Sequence, residues 1–260
     1  MITSTDNPQI KEARKLQRRR QRHKSQSLLL EGVRLIRDAL QSNAHIDTIF
    51  FAPDLVQANS GAQNLLAALM QHSIPCQPCT IEVFKSLTET QTPQGVAAIT
   101  ALPTLPLPNE ATLVLILDQV RDPGNAGTLL RTAEAAGANF VIFGPDTVDP
   151  FNDKVVRAGM GAHFRLPLRI CTDWSQIATL LPPSVTCYMA QADAKRVYDA
   201  IDWTAPAALV IGGEAAGASR DAYLHAAPLA IPMHGPVESL NAAVAGAVIL
   251  FEASRQRRYA

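Results

Sequence analysis

An amide, a guanidinium and a carboxylate stand close together as Asn125, Arg131 and Glu134 in the stretch Leu113 to Phe143, LVLILDQVRDPGNAGTLLRTAEAAGANFVIF. Such a set can orient a hydroxyl and stabilise charge developing on it, which is what donors aimed at a reacting oxygen do. The surrounding sequence supplies elements to hold them. Leu113 to Leu117 is a short apolar run suited to a buried strand, and Asp122-Pro123-Gly124-Asn125 is a turn. Asn125 then serves as N-cap of a helix whose inward stripe is Leu129, Leu130, Ala133 and Ala136 and whose end is Gly137. Asn139 to Phe143 is a second strand. The β-α-β unit places the polar residues at the carboxyl side of its first strand, where open α/β sheets bind ligands. Glu134, one turn beyond Arg131, can hold that guanidinium in place or be an ordinary exposed carboxylate.

Two later stretches carry further candidates. Ala207 to Ile211 predicts a buried strand running into Gly212-Gly213-Glu214-Ala215-Ala216-Gly217. These glycines suit either a structural turn or close approach by a ligand. They lack the Lys-Ser/Thr pair of a phosphate-binding P-loop and do not match G-x-G-x-x-G. Ile231 to Asn241 predicts a short strand and a loop rich in proline and glycine, with Ser239 or Asn241 capping a final helix from Ala242 to Arg255. Val244, Val248 and Phe251 would anchor that helix. The small residues between them predict close packing, within the core or against a second copy.

Length and composition bound the rest. A chain of 260 residues with 47% hydrophobic content can bury two cores. Residues 7–24 read as one basic helix. A small α/β domain follows, with strands at Ser27–Leu30, Ile46–Phe51, Ile74–Cys76 and Val96–Thr100 and helices beginning at Val33 and Ala62. The expected boundaries are a first domain over 1–102, a proline-rich linker over 103–110 and a second domain over 111–260. In the second, helices at Asp153–Gly161 and Trp174–Leu181 alternate with strands at Pro167–Cys171 and Val185–Ala190. That alternation predicts a doubly wound, mostly parallel sheet.

Net charge is zero, yet eight of the 23 basic residues lie within residues 1–24, beside only Asp6 and Glu12. Clustered basic groups of this kind suit a polyanion, and a solvated helix face is the plainer alternative. Cys76 and Cys79 form a single C-x-x-C that Cys171 and Cys187 do not complete into a zinc site, so no metal is expected and incidental thiols are favoured over a redox pair. No apolar run approaches the roughly 20 residues of a membrane span. The N-terminus lacks a secretory core, and a cytoplasmic protein is expected.

Taken together, DPGNAGTLLRTAEAAGA, LVIGGEAAGAS and IPMHGPVESLNAAVAGAVILFEAS resemble the three ordered motifs of the SpoU (TrmH-like) family of RNA ribose 2′-O-methyltransferases. The resemblance covers about residues 112–255 and rests on Asn125, Arg131, Glu214, Ser239 and Asn241. The N-terminal region is similar to the substrate-binding domain of the family's ribosomal-RNA branch. The resemblance implies a C-terminal trefoil knot, a homodimer, and S-adenosyl-L-methionine held by knot loops at Leu209, Ile211, Gly212, Gly213, Glu214, Gly217, Ile231, Pro232, Met233, Ser239, Leu240 and Asn241. It also implies catalytic roles for Asn125, Arg131, Ser239 and Asn241, with Glu134 beside them. The family assigns proton removal to Arg131, although guanidinium stays protonated in proteins. Composition and the resemblance together place RNA at Arg14, Arg18, Arg19, Arg20 and Arg22, with ribosomal RNA ahead of tRNA. Gly159, where the ribosomal branch often has serine, departs from the pattern. A non-catalytic RNA-binding protein of the same fold and a dinucleotide-dependent oxidoreductase remain as rivals, the latter disfavoured by the missing fingerprint.

Overall fold

The computed structural model describes residues 1–214 and 217–260; Ala215 and Ala216 of the glycine stretch lie outside the described residues. The chain forms two compact units, Met1–Pro103 and Thr104–Ala260.

In the first unit, Asn7 accepts a hydrogen bond from the Gln9 amide and Pro8 opens α1 (Pro8–Lys15). The helix does not continue to Lys24 as expected. Arg18 is extended, and α2 (Arg19–Ser25) begins anew. Arg22 stabilises the break: it is 4% exposed, and its Nη1 donates to the carbonyls of Leu16 (2.9 Å) and Gln17 (2.8 Å), which an unbroken helix would satisfy itself. Arg22 therefore points inward, contrary to its expected place on an exposed basic face, whereas Arg14, Arg18, Arg19 and Arg20 are exposed.

The unit continues through β1 (Ser27–Glu31), α3 (Val33–Gln41), β2 (Ile46–Phe51), α4 (Pro53–Gln57), α5 (Ser60–Gln71), β3 (Cys76–Pro78), α6 (Ile81–Lys85) and β4 (Val96–Ala101). The strand order is β1-β4-β2-β3, with β4 antiparallel to both neighbours and β2 parallel to β3. The five-residue helices α4 and α6 are too short to print a helical period. Pro53, which marks a strand end in the sequence, also supplies the first turn of α4. All four cysteines are free thiols, and burial pushes Cys79 up to about 11 and Cys76 upward. Thiols so shifted form little thiolate, which argues against redox work at this pair.

The second unit runs β5 (Leu113–Asp118), α7 (Pro123–Ala136), β6 (Phe140–Phe143), α8 (Asp153–Gly159), β7 (Leu168–Ile170), α9 (Trp174–Leu180), β8 (Thr186–Ala190), β9 (Ala207–Gly212), α10 (Arg220–His225), β10 (Ala227–Leu229) and α11 (Ala242–Arg258). Its six strands lie in the order β10-β8-β9-β5-β6-β7, every pair parallel. Strand β5 is buried along its whole length because both faces are covered. Leu113, Leu115 and Leu117 join the core that includes Leu129 of α7 and Leu250 of α11, while Val114 and Ile116 join the opposite core with Trp174 and Ile177 of α9.

Three details differ from the sequence expectations. Asp122 rather than Asn125 caps α7, its carboxylate accepting from the Asn125 amide at 2.7 Å. The strand expected at Ile231 is absent; β10 ends at Leu229, and 231–241 is irregular. The inward stripe of α11 is Ala242, Ala243, Gly246, Ile249, Leu250 and Ala253, while Val244 and Phe251, expected as anchors, are each 49% exposed. Steric room decides this last point. A Cβ at Gly246 would fall 2.3 Å from Leu129 Cδ2, so the small residues let α11 settle directly on α7.

Replacing Arg22 by Ala should leave the buried Leu16 carbonyl and the part-buried Gln17 carbonyl short of a donor and destabilise the protein by about 1–3 kcal/mol. Chemical denaturation measures this, and an unchanged midpoint would remove Arg22 from the architecture.

Candidate active site

Strand order changes direction between β5 and β9: β6 and β7 extend the sheet one way, β8 and β10 the other. The carboxyl ends of β5 and β9 are level, Asp118 pairing with Gly212, at the switch point where open α/β sheets bind ligands. Loop 213–219 leaves β9, and loop 231–241 precedes α11 on the same side. The first closes on itself through Gly213 N to Gly217 O (2.9 Å) and Gly217 N to Gly213 O (3.0 Å). A Cβ at Gly212 would lie 2.4 Å from Ala218 N, and one at Gly213 would lie 2.3 Å from Gln119 O. The backbone that these two glycines admit is therefore the chain's own.

Asn241 Oδ1 accepts from Ala243 N (2.9 Å) and Val244 N (3.2 Å) at the start of α11. Its Nδ2 must consequently face outward, where it donates to Asn125 Oδ1 at 3.1 Å. Asn125 is left with its own Nδ2 toward Glu214, whose Oε1 accepts that bond. Three motifs, up to 116 residues apart, thus meet in one hydrogen-bond chain with a fixed direction. Arg131, six residues beyond Asn125 on α7, is exposed and has no hydrogen-bond partner among the described residues. Glu134 does not hold it. Arg165 Nε and Nη2 reach Glu134 Oε1 and Oε2 at 2.5 and 3.1 Å, occupying both carboxylate oxygens.

A pocket opens beside this chain. Ile211, Gly212, Gly213, Glu214 and Gly217 line one side, and Ile231, Met233, Ser239 and Leu240 another. The Leu209 side chain is wholly buried within β9 and Pro232 is exposed, and neither is among the residues lining the pocket. Gln191, just past β8, also lines the pocket, although no motif singles it out. Its Nε2 donates to Asp193 Oδ1 at 2.6 Å, while its Oε1 is buried without a partner among the described residues. An unpaired buried acceptor costs about 1–3 kcal/mol, so the site is built to receive a donor. Only the order of β8 beside β9 would have disclosed it.

At Gly159, a Cβ would come 2.8 Å from His163 Cε1. That ring is buried, its Nε2–H donates to Pro150 O at 2.8 Å, and burial pushes its pKa down to about 4. Packing of this neutral imidazole accounts for glycine at 159.

Residues 112–251 match the SpoU rRNA Methylase family, and residues 7–98 match the MRM3-like substrate binding domain. The chain is 33% identical over 252 residues to the 23S rRNA (guanosine(2553)-2′-O)-methyltransferase RlmP of Bacillus subtilis, covering 96% of this chain and 97% of that protein. It is 34% identical over 298 residues to human mitochondrial rRNA methyltransferase 3, covering 91% of this chain and 69% of that one. The crystal structure of an AdoMet-bound rRNA methyltransferase from Sinorhizobium meliloti superposes with a TM-score of 0.84 at 32% identity, covering 98% of this chain and 97% of that one. The pocket suits this cofactor, because S-adenosylmethionine carries an amine, hydroxyls and an ammonium, any of which can donate to Gln191 Oε1. With matches along nearly its whole length, the chain belongs to the SpoU rRNA methylase family and is an RNA methyltransferase that uses S-adenosylmethionine.

Proposed function

We propose that this enzyme methylates a ribose 2′-hydroxyl of ribosomal RNA beside the joined Asn125 and Asn241, with Ser239 in the adjoining cofactor pocket and Arg131 supplied from the same helix as Asn125. The observation that carries this placement is the directed hydrogen-bond chain Asn241–Asn125–Glu214 beside that pocket. Ribosomal RNA is favoured over tRNA by the names of the relatives and by the substrate-binding match over residues 7–98.

Bound S-adenosylmethionine supplies a methyl group on a sulfonium. The ribose O2′ must meet that carbon in line as the carbon–sulfur bond breaks, and the hydroxyl proton must leave. Asn125 and Asn241 each use one Nδ2 hydrogen within the chain and keep a second for the substrate. Arg131 is permanently charged, so it orients the hydroxyl and stabilises the negative charge growing on oxygen rather than acting as a base, and the hydroxyl proton passes to solvent water at this exposed position. The trefoil knot implied by the resemblance would bring loops 213–217 and 231–241 to this one pocket. In the same reading, the partly exposed Val244 and Phe251 on α11 meet a second copy.

Mapping of methylated riboses in total RNA, with and without the enzyme, decides the substrate. New sites in tRNA alone would overturn the ribosomal assignment. Arg131→Ala should lower single-turnover methyl transfer by about 10²-fold or more while sparing cofactor affinity. Gln191→Leu should do the reverse, weakening S-adenosylmethionine binding in calorimetry by roughly tenfold, as expected for a lost hydrogen bond at a buried acceptor.

The exposed arginines of the first unit give a separate test. Changing Arg18, Arg19 and Arg20 to Ala should flatten the slope of log RNA affinity against log salt by about 2 to 3. Arg22→Ala should leave that slope unchanged. Equal slopes for wild type and the triple variant would mean that RNA is gripped elsewhere.

For the second copy, Phe251→Glu should convert a dimer to a monomer in light scattering. A monomeric wild type at micromolar concentration would refute the dimer.

A further inference from the structure

Helix α7 places Arg131 and Glu134 three residues apart, so their side chains are surface neighbours with Cβ atoms about 5–6 Å from each other. Charge attraction alone would pair them. Glu134 is instead taken by Arg165, 31 residues away, whose Nε and Nη2 along one guanidinium edge reach both carboxylate oxygens. Arg165 Nη2 also donates to the carbonyl of Met160 (3.2 Å), the left-handed residue that ends α8. An arginine anchored in this way presents a planar fork to both carboxylate oxygens, a geometry that a flexible neighbour on the same helix does not readily match.

We propose that Arg165 is a positioning residue whose work is to occupy Glu134 and thereby keep Arg131 unpaired for the ribose. The proposal rests on the reading of Arg131 as the charge-stabilising group. A carboxylate in contact with Arg131 would draw some of its donors away from the substrate and cancel much of the positive charge that the transition state needs. Arg165 removes that competitor without itself touching the reacting atoms. The pair also joins α7 to the end of α8, so a purely architectural role has to be separated from the proposed one.

The separation uses two variants that lose the same tie between helices. Arg165→Ala leaves Glu134 free to capture Arg131, and single-turnover methyl transfer at saturating RNA should fall by about fivefold, the factor set by a strong exposed ion pair. The double variant Arg165→Ala/Glu134→Ala has no competitor and should return to within about twofold of wild type, the size of a weak surface contact. Its melting temperature should stay as low as that of the single variant. Rescue of rate without rescue of stability is the expected signature. A double variant as slow as Arg165→Ala, or an Arg165→Ala enzyme at the wild-type rate, would overturn the proposal. Arg131→Ala measured alongside separates the two levels: a fast Arg131→Ala enzyme defeats the underlying assignment, whereas a slow one with a fast Arg165→Ala enzyme defeats only this inference.

Discussion

Two backbone N–H groups at the start of α11 set the sense of the amides in the site. Ala243 N and Val244 N both point at Asn241 Oδ1, so that side chain cannot be turned over without leaving helix donors unsatisfied. Loss of such a cap typically costs about 1 kcal/mol. From there the direction passes to Asn125 and on to Glu214. The chain is only as well placed as α11, and α11 is placed by its smallest residue. Gly246 lies against Leu129 of α7 and Ile211 of β9, the elements that carry Asn125 and lead to Glu214. A methyl group there would fall 2.3 Å from Leu129 Cδ2, so that side chain or the helix would have to shift, whereas Ile211 Cγ1 at 3.4 Å would not oppose it.

Charge is arranged with similar economy. Arg22 and Arg165 are spent on holding backbone carbonyls and a carboxylate, whereas Arg131 and the arginines at 18 to 20 remain exposed. Identical side chains therefore do different work according to whether the local backbone leaves groups for them to satisfy. At α2 the broken helix supplies two carbonyls, and Arg22 turns inward to meet them. Its neighbours in sequence meet no such demand.

What the sequence disclosed follows from the range of the forces involved. The stripe Leu129, Leu130, Ala133 and Ala136 and the fully apolar β5 are periodic, and both elements lie where that period puts them. Caps and anchors were harder to assign. Asp122 and Asn125 are both good capping residues three positions apart, and only the end of β5 decides between them. On α11, large apolar residues look like anchors, yet close contact with Leu129 selects the stripe of alanines and glycine. Gln191 and Arg165 were invisible because their roles depend on strand order and on a contact 31 residues long. The motifs that carry the family resemblance named Asn125, Glu214 and Asn241, but not the direction of the bonds among them.

That direction matters because the glycines around it leave little freedom. Gly212 and Gly213 have almost no room for a side chain, one facing the backbone at Ala218 and the other that at Gln119. The loop carrying Glu214 is thus wedged between its own return at Gly217 and the segment leaving β5. The Glu214 carboxylate accepts from Asn125, so the residues at the end of β9 help set the sense of that amide. Close packing of backbone against backbone at Gly212 and Gly213 is therefore what positions the end of β9 from which Glu214 reaches Asn125.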